Sequence, residues 1–136
     1  MSLVNGIKKI NNGGKMKFYR CLKCGKVIHV LNGDSNNVCC DREMLEINDY
    51  DKDASLEKHV PVIEKLDNTY KITVGEMLHP MDIDHYIMWI MIGNEKCEYF
   101  HYLVPGEVPI IELPIIANAT VYAYCNKHGL FSKKID

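Results

Sequence analysis

The sequence predicts a β-rich protein: a small metal-stapled module followed by a larger all-β sandwich of Greek-key type. Three observations lead there. Short runs of branched and aromatic residues, punctuated by Gly, Pro and Asn, fill the second half of the chain. No run of a dozen residues carries a helical apolar stripe. A cysteine-rich segment near the start is too short to build a sufficient core unaided, so a bound metal is expected to staple it.

Residues 1–15, ending Asn11-Asn12-Gly13-Gly14-Lys15, have no periodic pattern and read as a flexible leader, with Met16 opening the folded unit. Residues 16–50 form the four-cysteine module. A polar joint, Asn48-Asp49-Tyr50-Asp51-Lys52-Asp53, leads to the larger domain, residues 54–136. Within it, Tyr70–Val74 alternates polar and apolar residues and stops at Gly75. His85–Ile92 is apolar on both faces, which suits a central sandwich strand. Tyr99–Val104 and Thr120–Cys125 are further β-rich runs, with Pro105-Gly106 and Pro114 between them.

The 136 residues suffice for such a module plus one compact domain. Hydrophobic content of 47% and charged content of 25% are those of a soluble globular protein. No apolar run approaches the ~20 residues that a membrane span needs. The start, Met1-Ser2-Leu3-Val4-Asn5-Gly6, lacks the pattern of a secretory signal. Net charge is −2 with no basic cluster, so neither nucleic acid nor membrane is an expected partner. Six cysteines without a secretory signal read as reduced thiols in a cytoplasm, available as thiolate ligands.

Two ligand constellations stand out. Cys21-Leu22-Lys23-Cys24-Gly25 is a thiolate knuckle, and Cys39-Cys40 follows it. Four thiolates make a closed tetrahedral site for zinc or a single iron. Gly25 permits the tight turn that aims backbone amides at sulfur. The adjacent pair is unusual, because consecutive cysteines reaching one metal should strain the angles at it. A vicinal Cys39–Cys40 disulfide is the weaker alternative, such rings being strained.

The second constellation is His59, His79, His85, Cys125 and His128. A lone histidine is more often a surface or hydrogen-bonded core residue than a ligand. Together, however, four imidazoles and a thiolate exceed what a zinc site uses, and suit a six-coordinate metal with one position open. Iron is the leading candidate for that mixed set. His59 and His79 lie beside Pro61 and Pro80, which stiffen the backbone around them. Cys125 shares its strand face with Val121 and Ala123, while Tyr122 and Tyr124 point the other way. Cys125-Asn126-Lys127-His128 can chelate one metal through a Cys-x-x-His turn. His29 and His101 read as ordinary polar positions, and Cys97 as structural or exposed.

In order, Cys-x-x-Cys with Cys39-Cys40, Glu57-Lys58-His59-Val60-Pro61-Val62-Ile63-Glu64-Lys65, Val74-Gly75, His79-Pro80-Met81, His85-x-Ile87-x-Trp89-Ile90 and Cys125-Asn126-x-His128-Gly129 resemble desulfoferrodoxin, the two-iron form of superoxide reductase. The resemblance runs from about Met16 to the end of the chain. It implies a desulforedoxin-like iron held by Cys21, Cys24, Cys39 and Cys40. It also implies a catalytic iron with His59, His79, His85 and His128 in the plane and Cys125 axial. The fold it implies is a small desulforedoxin-like β module followed by an immunoglobulin-like β-sandwich, in a homodimer fed by a rubredoxin-type donor. The implied reaction is one-electron reduction of superoxide to hydrogen peroxide. Glu57 resembles the family carboxylate that fills the sixth position in the resting ferric state. Lys58 would draw in the anion and help orient water as proton donor. Tyr86 replaces the family's common tryptophan, Lys127 stands where an apolar residue is frequent, and the leader is longer than usual. The rival readings are a rubredoxin-like electron carrier with a non-catalytic second site, and a zinc-stapled interaction module.

Overall fold

The computed structural model describes residues 17–31, 33, 36–47 and 55–135. The expected leader at 1–15 and the polar joint at 48–53 lie outside them. The chain divides into two compact units between Asn48 and Asp49.

In the first unit β1 (Lys17–Arg20) is the central strand, flanked antiparallel by β2 (Val27–Val30) and β5 (Leu45–Ile47). A separate hairpin joins β3 (Val38–Cys39) to β4 (Arg42–Glu43). Tyr19, Cys21 and Met44 are the buried centre, with Ile28, Val30 and Cys39 packed against them. So few apolar side chains cannot offset the chain entropy of folding, which is why this unit calls for a metal.

The second unit begins with a single helical turn, α1 (Leu56–His59), the only helix among the described residues. Seven strands follow: β6 (Pro61–Lys65), β7 (Thr69–Val74), β8 (Ile87–Gly93), β9 (Glu98–Tyr102), β10 (Ile110–Pro114), β11 (Thr120–Cys125) and β12 (Gly129–Lys134). They form two antiparallel sheets, ordered β10-β7-β6 and β12-β11-β8-β9. This is the immunoglobulin-like sandwich. Its core draws Tyr70, Ile72 and Val74 from β7, Ile111 and Leu113 from β10, Ile90 and Ile92 from β8, Val121, Ala123 and Cys125 from β11, and Phe131 from β12. Each large apolar member contributes about 1.5–3 kcal/mol by leaving water. Every second residue of β7 and β11 points inward, as the alternation requires.

β8 lies between β11 and β9 and is buried on both faces, as a central strand should be. It starts at Ile87, later than the apolar run suggests, because His85 is held in a tight turn by a bridge to Asp82. Likewise β9 stops at Tyr102: the Leu103 N–H still donates to Met88 O at 2.9 Å, but the Val104 N–H donates instead to the Glu107 carboxylate at 2.7 Å. No helix among the described residues is long and apolar enough to cross a membrane.

Candidate metal centres

The first constellation closes at one end of the first unit. The Sγ atoms of Cys21, Cys24, Cys39 and Cys40 all lie within 4.8 Å of one another. Cys24 Sγ is 3.7 Å from Cys39 Sγ, and Cys39 Sγ is 3.9 Å from Cys40 Sγ. A tetrahedral site with metal–sulfur bonds of about 2.3 Å has edges of about 3.8 Å, so the four thiols already have the size of a filled site. Gly25, at φ +81°, turns the knuckle; the Cys24 N–H donates to Cys21 Sγ at 3.5 Å and the Gly25 N–H to Cys21 O at 2.9 Å.

The adjacent cysteines reach a common point through the backbone. Cys40 and Asp41, the two turn residues between β3 and β4, have φ of 53° and 59°. That is the left-handed pair a two-residue hairpin demands. The backbone is strained here in its own right, by about 1–2 kcal/mol for each non-glycine residue in that region.

Without a cation the cluster is electrostatically frustrated. The Cys24 N–H brings the Cys21 thiol down to about 6. Contact with the Cys24 thiol pushes Cys39 up to about 12, and the same neighbour raises Cys40. Four thiolates cannot share this space unless a metal neutralises them.

The second constellation brings together all five expected ligands of the larger domain. The donor atoms of His59, His85, Cys125 and His128 lie within 4.8 Å of one another. His79 Nε2 joins them at 3.0 Å from His59 Nε2. The imidazole centroids form a closed square: His59–His79 at 4.4 Å, His79–His85 at 4.8 Å, and both His85–His128 and His128–His59 at 4.9 Å. Successive rings are nearly perpendicular, at 76–84°, and the His59–His85 diagonal is 6.3 Å.

Hydrogen bonds fix which nitrogens face the centre. His59 Nδ1 lies 2.6 Å from Ser55 O, and His79 Nδ1 lies 2.6 Å from Pro80 O. Carbonyl oxygens only accept, so each Nδ1 carries the proton and each Nε2 is a bare lone pair. Two such lone pairs facing each other at 3.0 Å repel unless a cation stands beside them. His85 Nε2 is buried with no hydrogen-bond partner. His128 turns its Nδ1 inward, 3.1 Å from His59 Nε2 and 3.9 Å from Cys125 Sγ. An orphaned buried nitrogen, opposed lone pairs and a thiol among imidazoles fit a transition metal.

The electrostatics agree. Burial lowers His59, His79 and His85 below the ordinary imidazole value, His79 to about 4, so the rings are neutral ligands. Burial raises the Cys125 thiol, opposed by the Lys127 and His128 N–H groups.

Several parts of this centre carry no ligand chemistry of their own and escape sequence reasoning. Asn126 braces the loop that carries His85: its Oδ1 accepts from the Tyr86 N–H at 3.0 Å, its Nδ2 donates to Asp84 O at 3.2 Å, and its own N–H donates to Tyr86 O at 3.2 Å. A register shift between Tyr124 and Cys125, where Cys125 pairs with Ile87 and Met88 is left over, is a bulge in β8 opposite the end of β11. Phe131 stacks on His59 at 4.4 Å. An asparagine inside a Cys-x-x-His turn is the one signal that sequence offered. The remaining candidates, Glu57 and Lys58, lie in α1 directly before His59 and are exposed. His29 stacks on Phe18 and its Nδ1 pairs with Lys17 O, His101 is exposed, and the Cys97 thiol donates to Asn94 Oδ1 at 3.5 Å.

Comparison with known proteins follows the same lines. The family model described as Desulfoferrodoxin matches residues 51–134. The desulfoferrodoxin of Desulfarculus baarsii is 42% identical over 118 residues, spanning 85% of this chain and 93% of that one. The desulfoferrodoxin of Nitratidesulfovibrio vulgaris is 42% identical over 115 residues, spanning 83% and 91%. Among solved structures, the superoxide reductase from Treponema pallidum shares the fold, with a TM-score of 0.71 at 24% identity over 88% of this chain and 98% of that one. The superoxide reductase from Giardia intestinalis aligns with a TM-score of 0.53 at 28% identity, over 59% of this chain and 98% of its own.

Proposed function

The chain belongs to the desulfoferrodoxin family, and we propose that it is a superoxide reductase, reducing superoxide with one electron and two protons to hydrogen peroxide without releasing oxygen. The observation that carries this reading is the closed square of four imidazoles with a buried cysteine thiol beside it. An iron held there would supply one-electron chemistry to a small anion. His59, His79 and His85 would hold it through Nε2 and His128 through Nδ1. Cys125 would supply a thiolate that donates electron density to it, as soft thiolates do in haem sites.

The chain's exposed charges do the rest. Lys58 places a cation beside His59, attracting the anionic substrate and orienting water for proton delivery. Glu57, on the same turn of α1, would supply a carboxylate that could bind the metal when no substrate is there. A solvated Glu–Lys pair is normally worth little, so their adjacency to a ligand gives them their importance.

Residues 16–50 act as a desulforedoxin-like module with iron on Cys21, Cys24, Cys39 and Cys40, and residues 54–136 as the catalytic domain, with residues 1–15 as a leader. The protein works in the cytoplasm as a homodimer and takes electrons from a rubredoxin-type donor. An electron carrier with an idle second site would not need a complete second ligand set. Metal analysis with visible spectra before and after oxidation tests the two iron centres; zinc in both, in a colourless protein, overturns them. Consumption of pulse-generated superoxide without oxygen evolution tests the reaction, and oxygen release overturns it.

A further inference from the structure

We propose that Gly75 is a positioning residue: the turn it opens clamps the Glu57–Lys58 segment of α1 and so fixes where those two charges stand beside the second metal centre. The role of Lys58 rests on the superoxide-reductase reading, whereas the clamp rests on geometry alone.

Gly75 follows β7 at φ +89°, where L side chains are strained. Space matters more than the angle. A Cβ at this position would stand 2.6 Å from the Lys58 carbonyl oxygen and 2.7 Å from its carbon, and would also collide with Met77 O. All three are backbone atoms, so no rotamer change relieves the contact. The Lys58 peptide would have to move, and with it the side chains of Glu57 and Lys58.

Two hydrogen bonds make the close approach a clamp. The Met77 N–H donates to Glu57 O at 3.0 Å, tying the turn to α1. The His79 N–H donates to Val74 O at 3.1 Å, closing the same turn around β7. One four-residue turn therefore holds the charged segment on one side and carries a ligand on the other. The lysine stem is long, so a small backbone shift becomes a larger displacement of its ammonium.

Gly106 provides the control. It has φ +92°, yet a Cβ there meets nothing within 4 Å, so Gly106→Ala imposes similar backbone strain without the collision. The test compares iron-loaded wild type, Lys58→Ala, Gly75→Ala and the double variant, with Gly106→Ala beside them. Two quantities are read at low and high ionic strength: the superoxide consumption rate, and azide affinity of the oxidised second centre by visible titration. With Gly75 in place, Lys58→Ala should change the low-salt values about three- to tenfold. Added to Gly75→Ala, the same substitution should change nothing, and Gly106→Ala should match wild type. Equal effects of Lys58→Ala in both backgrounds overturn the clamp. A wild type that leaves superoxide untouched sinks the functional reading instead, and azide alone then decides the clamp. If Gly75→Ala does not fold, amide hydrogen exchange in the wild type decides. Protection of the Met77 amide comparable to the strand amides supports the proposal; exchange as fast as a free peptide refutes it.

Discussion

At the scale of single residues, Cys125 and Asn126 are neighbours whose side chains serve the second centre differently. Cys125 is fully buried, and burial alone would keep its thiol protonated. A bound cation is what makes it a thiolate. Cys125→Ser keeps the size and removes the soft donor, so we expect loss of the thiolate-to-ferric charge-transfer band together with turnover. Persistence of the band, recorded by visible absorption of the oxidised protein, would rule out Cys125 as the sulfur ligand. Asn126 touches no donor atom, yet two bonds from its side chain hold the 84–86 segment around His85. Asn126→Ala should leave the band in place while weakening iron binding about 10- to 100-fold, the usual cost of losing a group that orients a ligand. Competition against a chelator measures it, and unchanged affinity would reduce Asn126 to an ordinary turn residue.

At the scale of elements, the β3–β4 hairpin and the strands of the sandwich show what local sequence can and cannot encode. Strands β7 and β11 were legible because alternation is a local property that burial on one face enforces. Ile72 and Val74, or Val121 and Ala123, state their own orientation. β6, β10 and β12 carried weaker signals: Pro61-Val62-Ile63-Glu64-Lys65 is mostly exposed, and β12 ends in Ser132-Lys133-Lys134. The ligands themselves were legible as residue types. Their cyclic order and the braces at Gly75 and Asn126 depend on contacts between segments far apart in sequence, and the tautomers on nearby carbonyls, Ser55 O and Pro80 O, that only the folded backbone aims at the rings. The Cys39-Cys40 pair suggests strain at a bound metal, whereas the backbone strain at Cys40 and Asp41 shows only in the fold. Position 41 is the second turn residue, where glycine is the favoured occupant of such a hairpin. Asp41→Gly should therefore raise the thermal midpoint of the four-cysteine absorption band, by up to about 1 kcal/mol in stability, the left-handed penalty less the added freedom of the unfolded chain. A lowered midpoint would mean that the Asp41 side chain stabilises the turn by other means.

At the scale of the whole molecule, the sandwich places three buried or half-buried imidazoles where they resist protonation, and this links the stability of the metal-free protein to pH. Burial is the leading cause for His59, His79 and His85, and mutual repulsion among the ring cations adds to it. A depressed pKa means that the folded state binds fewer protons than the unfolded chain over the intervening range. Stability therefore rises with pH there, and falls as the solution is acidified. The window opens near the unfolded imidazole value of about 6.5. It extends down to about 4, the folded value of His79. Below that point His79 is protonated in both states and contributes no further slope. Urea unfolding of chelator-stripped protein, followed by Trp89 fluorescence at several pH values between these limits, should show the midpoint falling steadily with acid. A His79→Gln variant removes the most depressed ring, so its profile should be shallower than that of the parent. A flat midpoint across the window in the parent would mean that the imidazoles are not shielded from water in the metal-free fold, and that the square assembles only as metal enters.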